Sequence, residues 1–220
     1  MATIVRGTIP ADELALNHTL SELPELEIEC ERVVKSGEDV IMPLLWIRHG
    51  DHDEIDAVLA EDPTIDEVSC LSTFDDEYLY RMTWTGHVRL LVHMLTNGEA
   101  TVLDAYGQRD RWTLRVVYPD RDHLSGTHDF IDEHGLTFDV ESIRELDGEP
   151  AGRFGLTERQ YRALVDATQA GYYDVPRGMT LEELAADLDV SHQALSETLR
   201  RGVKALVEDT LVVGTVSDDS

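Results

Sequence analysis

Lysine is nearly missing from this chain. Lys35 and Lys204 are the only two among 18 basic residues, against 45 acidic ones and a formal net charge of −27. At ordinary ionic strength such a chain repels nucleic acid. Two readings remain. The protein avoids nucleic acid, or it works in molar salt, where the Debye length is about 3 Å and the charge is screened. Abundant surface carboxylate with few lysines fits the second. Long apolar runs are missing too. Nothing approaches the roughly 18 residues of a membrane span, and the N-terminus lacks a signal-peptide pattern, so a cytoplasmic location with no membrane partner is expected. Cysteine is scarce: Cys30 and Cys70 have no CxxC spacing, which suits a reduced compartment. No P-loop, GxGxxG or GxSxG occurs, and carboxylates are so common that no pair stands out as catalytic. His49-x-x-His52 with Asp51 and Asp53, and His128-Asp129 with His134, lie among turn and helix-start residues without a tight ligand set. No enzyme activity, cofactor or metal is expected.

What is present is a chain of 220 residues with 42% hydrophobic content, enough for one large domain or two to three small ones. Thr3–Ile9 reads as a strand, Ala11–Leu23 as a short helix and Leu26–Val34 as a half-buried strand. Ser36-Gly37-Glu38-Asp39 is a turn. Val40–Ile47 is a strand in which Pro43 argues for an edge or a bulge. Asp51–Leu59 is a helix ended by Asp62-Pro63, and Ile65–Phe74 a strand. This β-α-β-β-α-β order is that of the ferredoxin-like split βαβ arrangement. It then repeats more loosely: strand Tyr78–Thr85, helix Val88–Leu95, strands Glu99–Tyr106 and Arg111–Tyr118, helix Asp120–His134, strand Leu136–Leu146. The expected fold is α+β. Residues 1–146 form one or two ferredoxin-like (βαββαβ) units, split as 1–76 and 77–146 if two, with a single sheet of seven or eight strands as the alternative. Trp46, Trp84 and Trp112 suit core or interface packing better than a pocket. A linker, 147–155, leads to an all-α three-helix domain over 156–211, and 212–220 is a frayed tail.

That last domain centres on Thr180–Leu206. Thr180 with Glu183 makes a capping box. Leu181, Leu184, Ala185 and Leu188 follow at helical spacing. Asp189-Val190 breaks the helix, with Val190 able to plug the corner, and Ser191 caps the next helix. Ala194, Leu195, Thr198, Leu199, Val203 and Leu206 form its expected buried face. His192, Ser196, Arg200 and Lys204 form an exposed stripe, flanked by Gln193 and Arg201. This is a helix-turn-helix pattern suited to the DNA major groove. Ser191, His192, Gln193 and Ser196 make an uncharged polar half, from which His192, Gln193 and Ser196 reach base edges. Arg200, Arg201 and Lys204 hold phosphates. The segment Ser191–Lys204 carries those three cations against Glu197 alone, whereas residues 1–150 carry 11 basic and 33 acidic residues. A merely solvated face would have followed the overall acidic bias. The alternative is a helical hairpin serving protein interaction or small-ligand binding without DNA.

Leu156-Thr157-Glu158-Arg159-Gln160, Gly171-Tyr172-Tyr173, Val175-Pro176-Arg177, Leu184-Ala185, Ser191 and Leu199-Arg200-Arg201-Gly202 together resemble the helix-turn-helix domain of the bacterio-opsin activator type, found in regulators of halophilic archaea. The preceding region resembles, in layout and in its Trp46, Asp62-Pro63, Trp84 and Trp112 landmarks, the sensor-associated region of such regulators. The resemblance implies a sequence-specific transcription regulator that binds double-stranded DNA as a homodimer in a high-salt cytoplasm, in contact with the basal transcription machinery. It places the recognition helix at Ser191–Leu206. Larger members carry light- or redox-sensing modules, for which this chain leaves no room.

Overall fold

Alternating apolar residues and Gly, Pro or Asp punctuation divide the described part of the first 145 residues into eight strands, four α-helices and one 3-10 turn. The computed structural model describes residues 1–35, 40–85, 88–146 and 154–210. The expected turn at 36–39, most of the expected linker (147–153) and the tail at 212–220 lie outside the described residues. The chain divides into two compact units, Met1–Glu145 and Leu146–Ser220.

In the first unit the order is β1 (Thr3–Pro10), α1 (Asn17–Glu22), β2 (Glu27–Lys35), β3 (Val40–Arg48), α2 (His52–Glu61) and β4 (Ile65–Phe74). It continues as β5 (Glu77–Thr85), α3 (Arg89–Thr96), β6 (Thr101–Gln108), β7 (Arg111–Tyr118), α4 (Arg121–His134) and β8 (Asp139–Glu145). Between β1 and α1 the expected single helix is broken. A 3-10 turn at Ala11–Glu13 ends, and Leu16 takes a left-handed φ of 61° before α1 starts.

All eight strands join one antiparallel sheet in the order β4-β5-β3-β2-β6-β7-β1-β8. The sheet does not confirm ferredoxin-like units at 1–76 and 77–146. In a ferredoxin-like unit the first strand lies between the third and fourth of the same unit. Here β5, not β1, lies between β3 and β4, and β1, not β5, lies between β7 and β8. Exchanging the first four strands with the last four reverses the order and leaves it unchanged. The sheet therefore has a pseudo-two-fold through the β2·β6 junction, and each half supplies one strand to the other.

Pro43 sits on an interior strand rather than an edge. It pairs with Val33 of β2, while the β3·β5 ladder lapses between Ile41↔Trp84 and Leu44↔Arg81. The missing N–H of proline is thus accommodated by a gap on one side of the strand.

The inner face of the sheet is apolar. Ile28, Leu45, Ile47, Tyr80, Trp84, Trp112, Leu114 and Val116 are buried in one continuous cluster with residues of the helices. Trp84 on β5 and Trp112 on β7 meet edge to face at 5.3 Å between ring centroids. Four strand spacings separate β5 from β7, about 19 Å in a flat sheet. The contact therefore requires a strongly coiled sheet that closes around its own core. Trp112 also donates its indole N–H to the Ala15 carbonyl at 2.8 Å. On the same side α1 packs beside α2 and α3 beside α4. Trp46, by contrast, is half-buried and rests on Phe74 at 5.6 Å.

Candidate nucleic-acid interface

Among its described residues the second unit holds the helices α5 (Glu158–Gln169), α6 (Leu181–Asp187) and α7 (His192–Thr210). Each start is fixed by its own sequence. Thr157 and Gln160 exchange side-chain and backbone hydrogen bonds in a capping box, and Thr180 and Glu183 do the same one helix later. The backbone N–H and hydroxyl of Thr180 hold the Glu183 carboxyl below its ordinary range. At the corner between α6 and α7, the Val190 N–H donates to the Ala185 carbonyl at 3.0 Å and the Asp189 N–H to Ala186 at 3.2 Å. With Asp189 at φ 52°, this is a Schellman closure. Ser191 then accepts the Ala194 N–H on its hydroxyl at 3.2 Å and opens α7.

Leu156, Ala163, Leu164, Ala167, Leu184, Ala185, Leu195 and Leu199 form the core of this unit. Small residues set how closely the helices approach. Ala185 is buried where α6 meets α7. Gly202 is buried against α5, where an added Cβ would come within 2.8 Å of Leu164 Cδ1. The core side of α7 runs through Leu195, Leu199, Gly202 and Leu206. The expected place of Val203 in that core is corrected: it falls on the flank of the helix and is 42% exposed. Val190, the expected corner plug, is 36% exposed.

The opposite side of α7 carries the charged and polar groups. His192, Gln193, Arg200, Arg201 and Lys204 are exposed, Ser196 is half-buried, and Ser191 is exposed with its hydroxyl engaged as the cap. The cations differ in their company. Arg201 is paired with Glu197, and Lys204 with Glu208 at 3.3 Å, both one turn away on the same helix. Arg200 has no ion-pair partner among the described residues. Exposed pairs of this kind hold their cations only weakly, so a phosphate can replace the glutamate. Ahead of α6, Arg177 lies over the Tyr172 ring at 5.1 Å. Arg177 is exposed on the loop before α6 and belongs to the Val175-Pro176-Arg177 signature. Arg159 is exposed on α5.

The candidate metal groups do not assemble. His49 approaches Glu27 at 3.4 Å, while His52 faces Tyr78 at 4.9 Å between ring centroids. Asp51 is occupied as the cap of α2. His134 stacks on Phe130 at 4.0 Å and His128 approaches Asp132 at 3.8 Å. Among the described residues no three potential ligands come together. Cys30 is buried, Cys70 is exposed, and neither is in a disulfide.

Two capped helices joined by a tight corner, the second presenting an exposed polar and basic face, define a helix-turn-helix DNA-binding protein. Residues 156–208 match a family model described as an HTH DNA binding domain. Residues 7–156 match one described as a GAF and HTH_10 associated domain. The chain belongs to the bacterio-opsin activator type family of helix-turn-helix regulators. No curated protein matches it. Among the described residues no helix is long and apolar enough to cross a membrane.

Proposed function

We propose that the protein is a sequence-specific transcription regulator, not an enzyme, that binds double-stranded DNA as a homodimer in a high-salt cytoplasm. The observation that carries this reading is the exposed face of α7, where Arg200, Arg201 and Lys204 stand together in a chain of net charge −27. Gln193, Ser196 and His192 read base edges in the major groove, Ser191 sets the first turn, and the three cations bind phosphates. In molar salt the acidic surface is screened within about 3 Å, so it no longer repels the duplex. The N-terminal unit serves signal sensing or dimerisation, and the basal transcription machinery is the further partner. The order within each half-sheet supports reading that unit as two ferredoxin-like halves that have exchanged first strands. A boundary between the two functions falls at 147–155.

The pairing of Arg201 with Glu197 and of Lys204 with Glu208 favours a second reading, an interaction module whose charges are already satisfied. Selection of genomic fragments by the purified protein across molar potassium chloride separates the two. The regulator recovers a shared near-palindromic motif, with binding that persists or strengthens as salt rises. A folded protein that enriches nothing at any salt is the interaction module. Within the first reading, Gln193→Ala costs about 1–3 kcal/mol, mainly at one base position. Arg200→Ala weakens all sequences alike and removes about one counterion from those released on binding. Equal binding by both variants and the parent removes α7 from the interface.

A further inference from the structure

The loop between α5 and α6 stands out from the second unit on a narrow neck. Tyr172 and Met179 pack against the core, and the six residues between them, 173–178, are all exposed. Val175 at the tip is 99% exposed. The neck is closed by the Gly171 carbonyl, which accepts the Gly178 N–H at 2.9 Å and the Asp174 N–H at 3.2 Å. A Cβ on Gly171 would come within 2.9 Å of Asp174 Oδ2 and 3.3 Å of Gly178 Cα, so the neck leaves no room for a side chain there. Loops closed at the base in this way are compact and often carry function. This one carries Arg177. Between Arg162 and Arg200 it is the sole arginine or lysine, among seven carboxylates. Among the described residues it pairs with none of them. The Asp174 carboxylate folds back onto the neck, and the Arg177 guanidinium lies over the Tyr172 ring instead.

We propose that Arg177 is a second DNA-backbone contact, gripping the phosphate strand that α6 crosses while α7 lies in the major groove. Three observations select a phosphate as its ligand. The first is presentation. A guanidinium stacked by its face keeps its in-plane N–H donors free, whereas a carboxylate partner would occupy them. Tyr172, half-buried against the core, therefore fixes the side chain and leaves its fork open to an anion. The second is position. In a docked helix-turn-helix the second helix enters the groove and the first crosses the backbone. Arg177 stands just ahead of α6, at the end away from the corner that leads into α7. The seven residues of α6 span about 10 Å, close to the ~12 Å width of the major groove. With the corner at the groove, the far end of α6 reaches the groove's edge. The third is charge. α6 brings Glu182, Glu183 and Asp187 toward that strand and no cation of its own. Arg177 supplies the missing positive charge, and with Arg200 on α7 it pins both helices of the motif to the duplex.

This inference rests on the DNA-binding reading above, and its test separates the two. Binding of the full chain to its selected site is measured across potassium chloride concentrations for the parent, Arg177→Ala, Arg177→Lys and Arg200→Ala. Each phosphate of the site is replaced in turn by a neutral methylphosphonate. Arg177 is exposed, so its variants keep the parent circular dichroism spectrum. Arg177→Ala is expected to weaken binding about tenfold, the order of one hydrogen bond to a charged group, on selected and random duplexes alike. The slope of log K against log salt becomes more positive by about 0.9. Arg177→Lys restores the slope but only part of the affinity, because lysine binds as a point charge without the fork. One phosphate in each half-site, at the edge of the groove that α7 enters, weakens the parent when neutralised and costs Arg177→Ala nothing further. The same phosphate still counts for Arg200→Ala. A merely structural role for Arg177 would couple it to no single phosphate. Parent-like affinity and slope in Arg177→Ala, or a loss that is the same whichever phosphate is neutralised, overturns the proposal. If Arg200→Ala still weakens binding in that case, the DNA-binding reading stands without this contact. A folded parent that selects no DNA at any salt removes both.

Discussion

Asp62 ties the start of the first helix to the corner that ends the second. Its side chain is almost fully buried. It accepts four hydrogen bonds, from the Thr19 N–H at 3.0 Å, the Thr19 hydroxyl at 2.7 Å, the Thr64 N–H at 3.0 Å and the Thr64 hydroxyl at 2.6 Å. Thr64 Oγ1 in turn accepts the Leu16 N–H at 3.0 Å, which holds Leu16 in its left-handed conformation. Burial alone would raise the Asp62 pKa, but the bonds from Thr64 and Thr19 overcome it and hold the carboxyl below its ordinary range. Asp62→Ala leaves two N–H groups and two hydroxyls without their acceptor and is expected to cost about 3 kcal/mol or more in urea denaturation. The pH dependence has a definite sign. A lowered folded pKa gives stability that is fully present above the unfolded value, about 3.9, and is lost as pH falls through the lower folded value. The parent midpoint should drop on acidification below about pH 4, and Asp62→Ala should flatten that drop. An unchanged slope would mean that another carboxylate controls it. From sequence, Asp62-Pro63 was legible as a helix stop and a family landmark, not as a buried hydrogen-bond hub. Thr19 lies 43 positions away, and local pattern carries no information about a partner at that distance.

At the level of helices, α5 and α7 approach through Gly202. Helix propensity alone favours Gly202→Ala by about 1 kcal/mol. Packing decides the other way. The new Cβ would lie 2.8 Å from Leu164 Cδ1, 3.3 Å from Leu164 Cγ and 3.4 Å from Gln160 Cβ. Leu164 is itself buried, and Gln160 is held by its capping box, so neither can step aside freely. Overpacking of this kind costs about 1–3 kcal/mol. The expected result is a net loss of about 1 kcal/mol in the thermal unfolding of the second unit; a gain in stability would show that α5 slides to make room. The capping boxes and the Ser191 cap were legible because each is a contact between residues three apart. Gly202 was not, because its role depends on a side chain 38 positions earlier, and the helical spacing that drew Val203 into the expected core says nothing about which flank the neighbouring helix covers. The sheet divides the same way. The order of strands and helices followed from alternation and turn residues, while the exchange of β1 and β5 is a matter of pairing, which alternation leaves open.

Across the whole N-terminal unit, that exchange makes the two halves of the chain depend on each other. β5 is the neighbour that β3 and β4 share, and it brings Tyr78, Tyr80, Met82 and Trp84 into the core, all of them buried. Each such side chain contributes about 1.5–3 kcal/mol on burial, so the four together are comparable to the ~5–15 kcal/mol that holds a typical domain folded. A fragment of residues 1–76 lacks them. It also leaves β1 without β7 and β8, and β4 and β3 without a common partner. It is therefore expected to be unfolded, whereas 1–146 should fold. Two closed ferredoxin-like units would behave differently, since 1–76 would then be a complete domain. Amide dispersion in two-dimensional NMR distinguishes the cases directly. A dispersed spectrum from monomeric 1–76 contradicts the exchanged topology. A collapsed spectrum that becomes dispersed when 77–146 is added in equal amount is the expected outcome, because the second fragment returns β5 to the first half-sheet and receives β1 into its own.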